Sequence, residues 1–333
     1  MFRNRKVNVT ATPEINTGYG TNSKHYGGRF INKDGSPNVR KKGIGYFERL
    51  SWYHTFLKMP RWKFMGTILV FYIVMNLIFG LIYFLLDPTD ILGISSNSHL
   101  GNFAESFFFS CQTFTTVGYG RISPVGFVAS AISSFEALLG LLTLAVITGL
   151  LYGRFSRPKA YLRFSKNALL SPFQSGKAIM FRLAPYKNSI LTDVEANVTL
   201  GLITEEDGNM VNKFYQLPLE YSHVNSLSLS WTIVHPVNEE SPFHHFKDSD
   251  YKNLKGELIV FIKAFEETFS NMVVARTSYT LEEIILDASF ASMFHRAEKG
   301  NKTILNLDQL NSIKKPVPPP IKKVPDNPAL NSN

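Results

Sequence analysis

Five consecutive residues, Thr116-Val117-Gly118-Tyr119-Gly120, have the backbone chemistry to hold a dehydrated potassium ion. Gly118 and Gly120 can adopt positive φ without a Cβ clash, so successive carbonyls can turn to one side and replace a hydration shell. The Thr116 hydroxyl offers one more oxygen below them. A run this short also fits an ordinary Gly-rich turn, so its flanks must decide between the two readings.

Other residues stand out by their chemistry. Glu136 is the only charged residue in the apolar stretch that follows the motif and reads as a buried support behind it. Leu144, Thr148 and Tyr152 recur at a spacing of four and share one helical face. If that face lines a pore, Tyr152 is its narrow point, where apolar side chains close a channel by excluding water. Gly140 and Gly149 lie on the same helix, and each reads as a hinge or as close packing, with Gly140 the hinge candidate. His244-His245 and Glu239-Glu240 lack a third ligand at metal-binding spacing, and no nucleophile motif is present, so the chain reads as no enzyme.

The elements that must position these residues follow from run length and period. Residues 1–43 are polar and basic, a flexible cytoplasmic arm in which Arg29 to Gly35 reads as a short strand ending in an Asp-Gly turn. Residues 44–63 form an amphipathic interfacial helix rich in aromatic residues. The pore domain, residues 64–155, comprises a span over 64–86, a shorter re-entrant pore helix over 102–115, the filter at 116–120 and a second span over 124–152. From residue 156 to 296 the period changes to two: Val194, Ala196, Val198, Leu200 and Leu202 alternate with polar residues, as do Leu227, Leu229, Trp231 and Ile233. This is an immunoglobulin-like β-sandwich, with Thr280 to Asp287 a short irregular or helical insert. Residues 297–333 form a Pro-rich tail. The fold class is therefore membrane α plus β.

The formal net charge is +9, from 35 Lys and Arg against 26 Asp and Glu. The basic residues bracket the apolar runs, which suits an anionic membrane surface and gives no nucleic-acid fold. By the positive-inside rule both termini are cytoplasmic. Cys111 stands alone, so no intrachain disulfide is available.

With Arg61-Trp62-Lys63 before the first span, Arg157-Pro158-Lys159 after the second, Thr232-Ile233-Val234-His235 and Arg276-Thr277-Ser278-Tyr279 in the sandwich, and the arm sequence from Arg29 to Gly35, the chain resembles the inward-rectifier potassium channels, most closely their prokaryotic branch. The resemblance covers about Arg29 to Arg296. It implies a homotetramer in a bacterial inner membrane, with the sandwiches extending the ion path, K+ as the transported ion and no cofactor. It further implies that Arg61, Trp62, Lys63, Arg154, Arg157 and Lys159 meet anionic phospholipid or phosphoinositide, and that Glu195 and Glu267 line a cytoplasmic pore able to hold Mg2+ or polyamine. Leu144 stands where strong rectifiers carry an acid, which implies weak rectification. Gln112, where many relatives have Glu behind the filter, and Arg121, just after it, depart from the family pattern. The contrasting reading is a membrane-anchored binding module with a non-conducting pore.

Overall fold

The computed structural model describes all of the 333 residues except 1–6, 9, 15–17, 19–28, 44, 46–50, 189, 207–208, 298–299 and 316–333. The chain divides into two compact units, Lys41–Arg157 and a second that joins Met1–Arg40 to Pro158–Asn333.

The first unit is helical. Helix α1 spans Trp52–Lys58 and α2 spans Arg61–Leu85. The expected single helix over 44–63 is therefore interrupted, and residues 44 and 46–50 lie outside the described ones. Pro60 is the reason: its ring disfavours helical backbone at the preceding residue, and Met59 takes φ −57° and ψ 140°. Arg61, Trp62 and Lys63 consequently open the span rather than close the interfacial helix. At about 1.5 Å per residue, the 25 residues of α2 reach roughly 38 Å, enough to cross a bilayer.

The connection from α2 to the filter is pinned at both ends. Strand β1 (Ile91–Leu92) leads into α3 (His99–Phe114), and β2 (Ser123–Pro124) returns after the filter to pair with β1. Pro124, expected to start the second span, sits in this two-stranded ladder opposite Ile91, and α4 begins at Gly126 and runs to Phe155. The Val125 N–H donates to the Asp90 carbonyl at 2.7 Å, which ties the start of α4 to the end of the α2 connection. Both α2 and α4 are long and apolar enough to cross a membrane.

The second unit is a sandwich of two five-stranded sheets. Strands β3 (Leu162–Phe164), β4 (Ala168–Phe173), β5 (Gly176–Pro185), β6 (Leu191–Glu206), β7 (Asn209–Gln216), β8 (His223–Leu227) and β9 (Trp231–Pro236) come first. After α5 (Asp248–Asn253) follow β10 (Gly256–Glu266), β11 (Asn271–Thr280) and β12 (Ile284–Leu286). One sheet has the order β11-β10-β6-β7 with β8 also on β6, and the other has β12-β4-β5-β3 with β9 also on β5. The alternation in β6 does what its period requires: Val194, Ala196, Val198, Leu200 and Leu202 are buried, whereas Glu195 and Asn197 are exposed. The second alternating run is not one strand. Leu227 ends β8 in one sheet and Trp231 begins β9 in the other, so the chain changes sheets between them, through exposed Ser228 and Leu229. The insert after Thr280 is a short 3-10 turn, Leu281–Glu283, followed by β12, which pairs in parallel with β4. Residues 207–208, an Asp-Gly pair whose types favour a hairpin turn between β6 and β7, lie outside the described residues.

Two segments expected to be loose are docked. In the arm, Pro13 bridges Tyr215, Ala11 is buried in the sandwich core, and Asn8 donates to the carbonyls of Glu239 and Ser241. Among the described residues, Arg29 to Gly35 adds no sheet strand: Ile31 bridges Pro37, and Ile31 and Phe30 cover Phe214 and Ile259 on the outer face of a sheet. At the other end, β13 (Ser289–Phe290) and β14 (Phe294–Arg296) pair with β16 (Ile313–Lys314) and β15 (Thr303–Leu305). The boundary at 296 is therefore corrected, because packing continues to Lys314. Buried Arg182 secures this segment by donating to the carbonyls of Ala291, Gln309 and Leu310 at 2.6, 2.7 and 2.9 Å. Residues 316–320 of the expected Pro-rich tail lie outside the described residues.

Candidate functional site

Helix α3 ends at the filter, and its termini show how it is held. Ser98 Oγ caps its start by accepting from the Gly101 N–H at 3.1 Å. At the other end the Gln112 carbonyl accepts from the N–H groups of Val117 and Gly118 at 2.9 and 3.3 Å, and the Thr113 carbonyl accepts from the Thr116 N–H at 3.0 Å. The filter backbone is thus folded onto the last turn of α3, whose negative dipole end favours a cation.

The filter alternates its backbone hand. Thr116, Gly118 and Gly120 have φ of 59°, 54° and 83°. The sequence accounted for the two glycines, while Thr116 takes the left-handed conformation at a steric cost of about 1–3 kcal/mol. In the single chain all five residues are exposed, with Val117 at 52% and Tyr119 at 79%. One strand leaves the carbonyl cage open on its remaining sides.

Behind the filter, Glu136 has partners that sequence spacing could not name. Its Oε2 accepts from the Tyr83 hydroxyl of α2 at 2.6 Å, and its Oε1 lies 2.5 Å from Ser110 Oγ of α3. Ser110 Oγ is also 3.1 Å from Asn76 Oδ1, and Asn76 Nδ2 donates to the Tyr72 carbonyl at 2.7 Å. Asn76, Tyr83, Ser110 and Glu136 are all buried, so one polar chain joins α2, α3 and α4. The signal for Asn76 was present: an amide inside an apolar span needs an internal partner. The Gln112 side chain is not part of this chain; its contribution to the filter is the backbone carbonyl, which any residue type supplies.

Gly140 explains itself by packing. A methyl group there would overlap the Phe114 carbonyl oxygen, so α4 can reach the end of α3 only with glycine at this position. Gly149 has open space around it. Leu144, Thr148 and Tyr152 are all exposed along one face of α4 in the single chain, Tyr152 at 74%.

Arg121 is paired rather than free. It lies 3.5 Å from Glu105 and donates to the Gly93 carbonyl at 3.3 Å, while Glu105 accepts from the Ser95 N–H at 2.9 Å. The departure from the family pattern is absorbed by a partner on α3, although an ion pair this exposed contributes under about 1 kcal/mol.

The basic group divides. Arg61, Trp62, Lys63, Arg157 and Lys159 are exposed. Arg154 instead turns inward: it donates to the carbonyls of Phe56 and, at 2.7 Å, Met59, and its guanidinium lies over the Phe64 ring. The carbonyls at the end of α1 have no helical donors, and Arg154 satisfies them. Its assignment to lipid is corrected accordingly. In the sandwich, Glu195 and Glu267 are both exposed but not adjacent: Glu195 faces Lys263 across the β6–β10 ladder, about 13 Å along the strand from Glu267 at roughly 3.3 Å per residue.

Residues 68–157 match a family model described as an ion channel, and residues 162–325 match the inward rectifier potassium channel C-terminal domain. The inward rectifier potassium channel Kirbac3.1 of Paramagnetospirillum magnetotacticum is 35% identical over 283 residues, which cover 83% of this chain and 92% of that protein. G protein-activated inward rectifier potassium channel 4 of Bos taurus is 28% identical over 305 residues, 82% of this chain and 70% of the relative. G protein-activated inward rectifier potassium channel 2 of Pongo abelii is 28% identical over 288 residues, 77% and 66% of the two chains.

Proposed function

This chain belongs to the inward-rectifier potassium channel family, of membrane ion channels and not enzymes, and we propose that four copies assemble around one pore that passes K+ passively. The observation that carries this reading is the filter: Thr116, Gly118 and Gly120 share positive φ, the strand is anchored on Gln112, and the carbonyl cage is open in one chain. A bare ion needs oxygens on all sides, which four strands supply. Glu136 and Gln112 support the filter from behind, the first through its side chain and the second through its backbone. The exposed face of Leu144, Thr148 and Tyr152 forms the cavity and cytoplasmic gate, closing by dewetting. Bending of α4 during opening falls to the unobstructed Gly149 rather than the packed Gly140.

Anionic headgroups meet Arg61, Trp62, Lys63, Arg157 and Lys159, with both termini on the cytoplasmic side. Glu195 and Glu267 concentrate cations along the cytoplasmic path, including Mg2+ and polyamines, while apolar Leu144 makes rectification weak. The non-conducting reading drew on Gln112 and Arg121. The backbone role of the first and the Glu105 partner of the second favour the channel instead.

Flux through purified full-length protein in liposomes tests the proposal. K+ uptake with Na+ excluded, modulated by the fraction of anionic lipid, is the expected result. Equal passage of Na+ would remove the selectivity claim, and absence of flux in every lipid would restore the anchored-module reading.

A further inference from the structure

The polar chain behind the filter contains more acceptors than the conventional protonation of its members can serve. Asn76 is oriented by the Tyr72 carbonyl, 2.7 Å from Nδ2, because the reversed amide would set two oxygens against each other. Asn76 Oδ1 therefore faces Ser110 Oγ at 3.1 Å, while Glu136 Oε1 faces the same hydroxyl at 2.5 Å. Ser110 carries one proton and stands between two acceptors. If it donates to an ionised Glu136, its lone pairs confront Asn76 Oδ1, which is left without a donor among the described residues. Only one further proton, carried by Glu136, lets every contact be a hydrogen bond.

The charge balance points the same way. Residues 64–86 and 126–153 contain no Lys, Arg or His, and residues 102–120 contain none either. Arg121 is turned to Glu105. The titratable groups packed near Glu136 are Tyr83 and Tyr72 on α2 and Cys111 on α3, none of which supplies a positive charge. An unpaired carboxylate buried among these helices would carry the full desolvation cost of its charge. Four copies of the same segments bring no new cation to this depth.

We propose that Glu136 is a neutral carboxylic acid that donates to Ser110, so that a directed relay of hydrogen bonds runs from Glu136 through Ser110 and Asn76 to the Tyr72 carbonyl. The Tyr83 hydroxyl closes the relay from the other side by donating to Glu136 Oε2. Glu136 is thus a positioning residue: it holds Ser110, two residues before the Gln112 carbonyl on which Val117 and Gly118 hang. This rests on the reading of Glu136 as filter support. A neutral acid at this position would be mimicked by an amide, which also donates and accepts, and not by a group that only accepts.

Infrared difference spectroscopy on the reconstituted full-length protein at neutral pH tests the protonation directly. Wild type minus Glu136→Gln should show the carbonyl stretch of a carboxylic acid, lost in the variant. A difference spectrum that contains only ionised carboxylate bands overturns the proposal. Should Glu136→Gln fail to assemble, Tyr83→Phe serves instead: removing a donor from the acid carbonyl shifts that stretch upward, and the absence of any such band or shift refutes the proposal independently. K+ and Na+ flux through Glu136→Gln is a separate arm. A carboxylic acid band together with lost selectivity in Glu136→Gln leaves the protonation established and sinks the positioning role, because the amide preserves a donor and an acceptor.

Discussion

The Arg154 guanidinium lies over the Phe64 ring, 4.4 Å from its centroid, while its nitrogens reach the carbonyls of Phe56 and Met59. The C-terminal end of α4, which carries Tyr152, is thereby fastened to the corner between α1 and α2. A displacement of that corner must therefore load the end of α4 that carries Tyr152, the residue proposed as the gate.

Arg154→Ala removes two hydrogen bonds and a cation–π contact, and should cost roughly 1–3 kcal/mol of thermal stability. Its effect on K+ flux should be the same in vesicles with and without anionic lipid. Arg157→Ala should instead reduce only the lipid dependence. A titration of headgroup composition separates the two, and an Arg154→Ala channel altered solely in its lipid response would return Arg154 to the lipid-binding group.

Gly140→Ala pushes a methyl group into the Phe114 carbonyl at the base of the filter. Overpacking of this kind costs about 1–3 kcal/mol, and the displaced α3 terminus should lower the K+ to Na+ flux ratio. Gly149→Ala meets open space, so it should leave selectivity intact and slow opening only. Equal selectivity in both variants would show that the contact at Phe114 does not control the filter.

Glu257 fixes the arm by accepting from the backbone N–H groups of Phe30 and Ile31 at 2.5 and 3.1 Å. Charge-assisted bonds of this type contribute about 1.5–3 kcal/mol each. Glu257→Gln should therefore raise hydrogen exchange across residues 29–38 by at least about tenfold, since roughly 1.4 kcal/mol corresponds to that factor. Unchanged exchange there would mean that packing on Phe214 and Ile259 and the bond from the Ser278 hydroxyl to the Ile31 carbonyl hold the segment without Glu257.

His235 supplies a pH dependence. Burial lowers its pKa to about 4, against a partial rise from its bond to the Pro218 carbonyl, and its other ring nitrogen meets Ser241 Oγ at 2.8 Å. The folded state therefore holds a neutral ring, whereas the unfolded chain takes up a proton below about pH 6.5. Stability is complete above that pH and falls as pH drops from about 6.5 toward 4, by a total on the order of 3 kcal/mol. Thermal unfolding across this window should show the loss, and His235→Gln should remove that part of the slope. A slope unaltered by the substitution would assign it to other groups.

Much of the architecture was legible because it depends on local properties of the chain. Span length comes from runs of apolar residues, the sandwich from a period of two, and the filter from Gly118 and Gly120, which alone among the neighbours tolerate positive φ freely. The limits of such reading appear where local pattern has two solutions. Leu227 and Trp231 keep the same alternation across a sheet crossing, and only their pairing with β6 and β5 reveals it. Asn8, Ala11 and Leu310 occur in stretches too polar to signal a core, yet each is buried by residues far along the chain.

The amino-acid sequence by itself determined the ion-binding backbone, the two apolar helices and the family, since these reside in residue type and order. The tertiary structure alone decided what the solitary ionisable residues do. Arg154 turned from lipid to the carbonyls of Phe56 and Met59, Arg121 to Glu105, and Glu136 to Tyr83 and Ser110. A charge or polar group removed from water must find its complement wherever packing brings one, and that complement lies 26 to 98 residues away in the Glu136 and Arg154 contacts. No local period records such a distance.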